Sequence, residues 1–186
     1  MPDKPGWLPD IICIDMYEGN WEKYLKEIYR IFKRDLIEIP PSYEDKKVCI
    51  LVDPKIDGKE FGFWHIISEG KVEGNRTPDL RRCERINWPK PIIINYNDPG
   101  ILIWELSSKR KGHRDKRVCI WLEKFNYIIV LGRRNKYFLL ITTYLTDKKH
   151  TRKKLRKQYN LYLKNIHKKA DVAPEDDTST PSTHGR

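Results

Sequence analysis

The chain lacks the features by which most metal- and nucleotide-dependent enzymes are recognised. Its four cysteines, Cys13, Cys49, Cys83 and Cys119, are widely separated, and none belongs to a CxxC pair. That spacing argues against a zinc site and predicts thiols that stay reduced. A Walker loop, a GxGxxG turn after a strand and an HExxH helix are all missing. Acids with paired metal-site spacing are missing too, and most acids neighbour a Lys or Arg, which disfavours two-metal hydrolysis. No metal and no cofactor is therefore expected. No apolar run reaches the length of a membrane span. Residues 1–10 are polar and broken by proline, so no signal peptide is expected and the cytoplasm is the expected location.

What the chain has in excess is positive charge. It carries 37 Lys and Arg against 26 Asp and Glu, a formal net charge of +11. A surface of this sign attracts polyanions, most often nucleic acid, through phosphate contacts that carry no sequence information. Hydrophobic residues make up 39% of the 186, enough for one domain with its own core. A single domain over 1–169 is expected. The Ser/Thr/Pro-rich stretch 170–186 is expected to be a disordered polar tail.

Helical spacing of Trp21, Tyr24, Leu25, Ile28, Ile31, Phe32 and Leu36 predicts an amphipathic helix. Asn20 is its expected N-cap. Residues 47–53 suit a short strand, while FGFWHIIS (61–68) is ambiguous between strand and helix. Thr77, Pro78 and Asp79 read as N-cap, N1 and N2 of a second helix, with Arg81, Arg82 and Arg85 on its outer face. Trp88 and Pro89 should close that helix. Four strands are expected at 101–107, 118–123, 127–133 and 137–145, joined in turn by a cationic loop, a short link and a tight turn at 133–136. The last two are apolar on both faces and should be central. A basic helix from about 147 to 166 closes the fold, with ten Lys or Arg against one acid over 147–169. The expected class is α+β: N-terminal helices, a four-stranded antiparallel sheet, and helices packed on one face.

The side chains available for chemistry are His, Lys, Arg, Thr and Tyr. That set suits metal-independent RNA cleavage, in which the 2′-hydroxyl attacks the adjacent phosphate. Histidine can supply acid or base, and Lys or Arg can stabilise the phosphorane. DNA lacks the attacking hydroxyl, so RNA would be selected. His65 is the candidate acid or base. The competing interpretation is a packed core histidine bonded to a backbone carbonyl. Trp88, Trp104 and Trp121 are expected in the core more than as platforms for bases.

The run FWHIIS, then RTPDLRRCERINWPKPII, a Trp-containing strand, WLEKFNYIIVLGRRNKYFLLITTYLT and a basic helix resembles a phage-associated family of the barnase–EndoU–colicin–RelE nuclease superfold. The resemblance covers about residues 65–159 and rests on the order of elements. It implies a metal-independent endoribonuclease of toxin or phage-conflict type. His65 matches the family's histidine, and Thr143 and Tyr144 match a strand end that lines its site. Strict alternation would put Thr143 on one face with Tyr137, Leu139 and Ile141, and Thr142 with Tyr144 on the other. Which threonine faces the site stays open, with Thr143 favoured. The resemblance implies His65, Arg85 and Thr143 as catalytic, and Arg82, Lys109, Arg133, Arg134 and Tyr144 as substrate-binding. RNA is the implied partner, and an acidic antitoxin or immunity protein is the companion a toxin of this charge calls for. Two other interpretations remain open: an RNA-binding protein of the same fold without turnover, and an interaction module of a phage or toxin operon.

Overall fold

The computed structural model describes residues 4–70, 76–110 and 113–170, and the side chains of 4–70, 76–107 and 115–168. The expected tail from Asp171 onward lies outside them. After a 3₁₀ turn at Ile14–Tyr17, helix α1 runs over Trp21–Phe32 and continues as a π turn over Lys33–Glu38. Asn20 caps α1 as expected, its side chain accepting from the Lys23 backbone N–H at 3.0 Å. Short strands follow: β1 (Ser42–Tyr43), β2 (Lys46–Cys49), β3 (Lys55–Ile56) and β4 (Lys59–Glu60). Helix α2 (Phe61–Ile67) resolves the ambiguous aromatic stretch. Then come β5 (Ser68–Glu69), β6 (Thr77–Pro78), α3 (Leu80–Cys83) and α4 (Pro89–Ile94). The last part is β7 (Ile101–Arg110), β8 (His113–Leu122), β9 (Tyr127–Arg133), β10 (Phe138–Leu145) and α5 (Lys149–Ala170).

The class is α+β, but the sheet is larger than expected. Six strands lie in the order β1-β2-β10-β9-β8-β7. The four expected strands form its antiparallel meander, and β2 adds to β10 in parallel. The sheet is therefore mixed. The expected cationic loop between the first two strands is largely strand: β7 and β8 stay paired from Ile101↔Leu122 to Arg110↔His113. Strand β9 pairs with β8 only as far as Arg117↔Gly132, so the hairpin end projects beyond it.

Two further expectations fail for clear reasons. Thr77 and Pro78 do not begin a helix, because they pair with Ser68 and Glu69. The cap moves to Asp79, whose carboxylate accepts from the Arg81 N–H at 2.9 Å. Trp88 and Pro89 do not end a helix but begin α4, with Pro89 at a first-turn position where its missing N–H costs nothing.

Helices cover both faces of the sheet. On the first, Phe32, Phe63, Ile66 and Ile92 pack with Val118, Ile120, Ile129, Leu131, Phe138 and Leu140. On the second, Leu155 and the half-buried Tyr159 and Tyr162 of α5 pack with Trp104, Cys119, Trp121, Ile128 and Val130. Packing on one face alone was expected. The cause of the difference is β9, whose residues from Tyr127 to Gly132 are all buried, so both of its sides need cover. Trp88, Trp104 and Trp121 are core residues. Of the expected α5 stripe, Leu155 is buried while Ile166 is exposed. No helix among the described residues is long and apolar enough to cross a membrane.

Leu155 is the buried anchor of α5. Leu155→Ala is expected to cost about 2–4 kcal/mol in denaturant unfolding. A cost below about 0.5 kcal/mol would mean that α5 does not seal this face.

Candidate active site

Helix α2 is anchored beside β10 so that one side chain lines a cleft there. Phe63 points into the core, with ring centroids 5.0 Å from Tyr29 and 5.2 Å from Phe32. Trp64 Nε1 donates to the Ile56 carbonyl at 2.8 Å. Gly62 lets α2 press against the preceding segment. Its N–H donates to the Leu51 carbonyl at 2.8 Å, and a Cβ there would stand 2.4 Å from Ile50 Cγ1. At the helix end Arg76 donates to the carbonyls of His65 at 3.1 Å and Ser68 at 2.7 Å, satisfying groups that the helix itself leaves open. His65 lies one turn after Phe61, its ring stacked on that phenyl at 5.7 Å. The histidine is half-buried, and it lines a cleft.

The cleft holds about 200 Å³ and is lined by Phe61, His65, Asp115, Arg117, Arg134 and Ile141, among others. Arg117 Nε donates to Asp115 Oδ2 at 2.8 Å, and Arg134 Nη1 lies 3.8 Å from Asp115 Oδ1. One carboxylate thus orients two guanidiniums and leaves the pair of arginines in excess. Gly132, opposite Arg117 on β9, keeps the floor low. A Cβ at Gly132 would meet Ile141 Cδ1 at 2.9 Å and Arg134 Nη1 at 3.0 Å. This glycine is what allows the Arg134 guanidinium to fold back over the sheet.

The other expected site residues lie elsewhere. Arg82 and Thr143 meet on the first face of the sheet, at its far end. Arg82 Nη1 donates to the Thr143 carbonyl at 3.2 Å, and its Nε lies 3.8 Å from Asp79. Thr143 is 3% exposed, and its side chain shares a hydrogen bond with the buried Tyr127 phenol. Burial lowers the Arg82 pKa and raises that of Tyr127. Arg85 Nη1 donates to the Arg81 carbonyl and to Glu84, and its guanidinium sits 5.1 Å over Trp88. Neither Arg85 nor Thr143 lines the His65 cleft, so the convergence of these three is not present there. Arg133 is held by Glu44 and Glu105 and stands 5.0 Å over Phe138. Only Arg134 of that arginine pair reaches the cleft. The Lys109 side chain lies outside the described residues.

A β-bulge sets which way the two threonines face. Leu140 pairs with Leu131 and Thr142 pairs with Val130, which leaves Ile141 as an extra residue. The extra residue inverts the alternation beyond it. Thr143 therefore joins the face of Phe138 and Leu140, while Thr142 and Tyr144 turn toward α5. Asp115 and Arg117 were missed because their stretch reads as a polar loop. The signal that finds them is the alternation Arg117, Cys119, Trp121 on one face of an extended β8.

The chain has no match among protein-family models, curated proteins or solved structures. No three of the described His, Cys, Asp and Glu side chains converge as ligands for one metal ion.

The thiols offer a check on this packing. Burial pushes Cys83 and Cys119 each up to about 12. A raised thiol pKa removes thiolate, the reactive form, at neutral pH. Alkylation of the native protein near neutral pH is expected at the partly exposed Cys13 and Cys49, with Cys83 and Cys119 modified only on unfolding. Rapid native modification of Cys83, which is fully buried, would mean that the packing around α3 is open.

Proposed function

We propose that the protein is a metal-independent endoribonuclease of the barnase–EndoU–colicin–RelE type, with its reaction centre at the His65 cleft. The observation that carries this is that one imidazole and two guanidiniums, Arg117 and Arg134, line the same cleft at the Gly132 end of β9. The net charge of +11 supports a polyanionic substrate. Helices followed by an antiparallel meander also suit the resemblance drawn from the order of elements.

In this scheme the scissile phosphate lies against Arg117 and Arg134, held apart by their shared contact with Asp115. His65 takes the proton from the 2′-hydroxyl, whose oxygen forms a bond to phosphorus. The bond from phosphorus to the 5′-oxygen breaks, and that oxygen takes a proton from a solvent water at the open side of the cleft, while His65 returns its proton to the hydroxide so formed. The products are a 2′,3′-cyclic phosphate and a 5′-hydroxyl. The guanidiniums stabilise the charge that develops on the non-bridging oxygens. Asp115 and Gly132 act as positioning residues, because they orient Arg117 and Arg134. Arg82, Arg85 and Thr143 are assigned to the support of the strand end and not to chemistry.

Purified protein is expected to cleave total RNA in EDTA and to leave a strand with 2′-deoxyribose at the cleavage position intact. His65→Ala should lower the rate about 10²–10⁴-fold, and Arg117→Ala or Arg134→Ala about 10²–10³-fold. Cleavage by His65→Ala at the wild-type rate would remove the role given to that residue. Salt-dependent RNA binding without product would identify a non-catalytic RNA-binding protein instead.

A further inference from the structure

A second cleft adjoins the first. It holds about 420 Å³ between the start of α5 and the second face of the sheet. Arg117 lines both clefts. Its floor is apolar, with Leu106, Val130 and Leu155. Around that floor stand Arg117, Thr142, Tyr144, His150, Lys154 and Gln158. The chemistry of this lining is distinctive. Four other clefts of the described residues each carry a carboxylate: Asp115, Asp57, Glu27 or Glu123. The second cleft has cationic side chains and no carboxylate. It is therefore suited to an anion that also presents an apolar face.

Size points the same way. The first cleft, at about 200 Å³, is smaller than sites that enclose a drug-sized ligand, which run from roughly 300 Å³ upward. It has room for a phosphate and its ribose. The second cleft lies within that range. A nucleotide offers both features its lining calls for: a phosphate for Lys154 and Arg117, and a planar base for the floor and the Tyr144 ring.

We propose that this second cleft is a nucleotide subsite, and that single-stranded RNA threads across Arg117 with its scissile phosphate in the first cleft and a neighbouring nucleotide in the second. The inference rests on the endoribonuclease assignment and adds a substrate class to it. The chain must be unpaired, because a duplex cannot place a base against the floor. It must also extend beyond the scissile linkage, so that a second phosphate reaches Lys154. Thr142, turned to this side by the bulge, and Gln158 supply hydrogen-bonding groups at the rim.

The test uses the full chain with homopolymeric oligonucleotides of two and four residues, blocked against cleavage by 2′-O-methyl ribose. Affinities are measured by fluorescence anisotropy over a salt series. The wild type is expected to bind the tetranucleotide at least about tenfold more tightly than the dinucleotide. Lys154→Ala, a change at an exposed helical position, should reduce that preference to about twofold or less. It should also reduce the salt slope by about one phosphate's worth, roughly 0.7 for a single strand. Lys168→Ala, on the same helix but away from the cleft, should keep the preference. An equal preference in Lys154→Ala and wild type, with RNA cleavage intact, would overturn the subsite alone. Failure of the wild type to bind either probe or cleave RNA would overturn both the subsite and the endoribonuclease assignment.

Discussion

The structure depends on burying β9 from both sides. Tyr127, Ile129 and Leu131 point to one face, and Ile128 and Val130 to the other. A strand with no polar side must lie inside the sheet and under two layers of cover. The first layer is α1, α2 and α4. The second is α5, which is otherwise among the most charged segments of the chain and packs through Leu155, Tyr159 and Tyr162. Cover on the second face stops short of the Gly132 end of β9. The candidate site occupies the surface left open there, between α2 and α5. The polar chemistry of this protein is thus placed by where its apolar cover runs out.

Two local irregularities shape that opening. At Gly132 the missing side chain admits the Arg134 guanidinium, which would otherwise meet a Cβ at 3.0 Å. At Ile141 the bulge changes which residues of β10 face α5. Both lie next to the point where β2 ends its pairing with β10 at Leu139 and α2 takes over the strand edge. Bulges and glycines concentrate where a sheet must re-aim side chains. Here they gather Arg117, Arg134, Thr142 and Tyr144 on one surface and send Thr143 to the other.

Much of the fold was legible because its signals are local. Helix α1 follows from its apolar spacing and the Asn20 cap, and the four meander strands follow from their apolar and β-branched runs. The elements that were misread depend on partners remote in sequence. Thr77 and Pro78 have every local mark of a helix start, yet Ser68 and Glu69 claim them as a strand. The second-face packing of α5 depends on the two-sided burial of β9, which is visible in its sequence but not in that of α5. In the candidate site, His65 stood out in the sequence because a titratable ring among aromatics is conspicuous, and the structure shows it lining a cleft. Arg82 and Arg85 were conspicuous for their charge, but the short helix α3 and the turn after it direct them onto Thr143, Glu84 and Trp88. Asp115 and Arg117 were hidden by a long hairpin whose polar end has the composition of a loop.

The central claim is that RNA meets this protein on the surface between α2 and α5. It is tested most directly by cross-linking a 4-thiouridine RNA to the full chain and mapping the modified peptides by mass spectrometry. The account predicts adducts within Phe61–Ile67, at 115–117 and over 134–158, and none over 80–88. Adducts concentrated around Arg81, Arg82 and Arg85, with the His65 peptide unmodified, would contradict it.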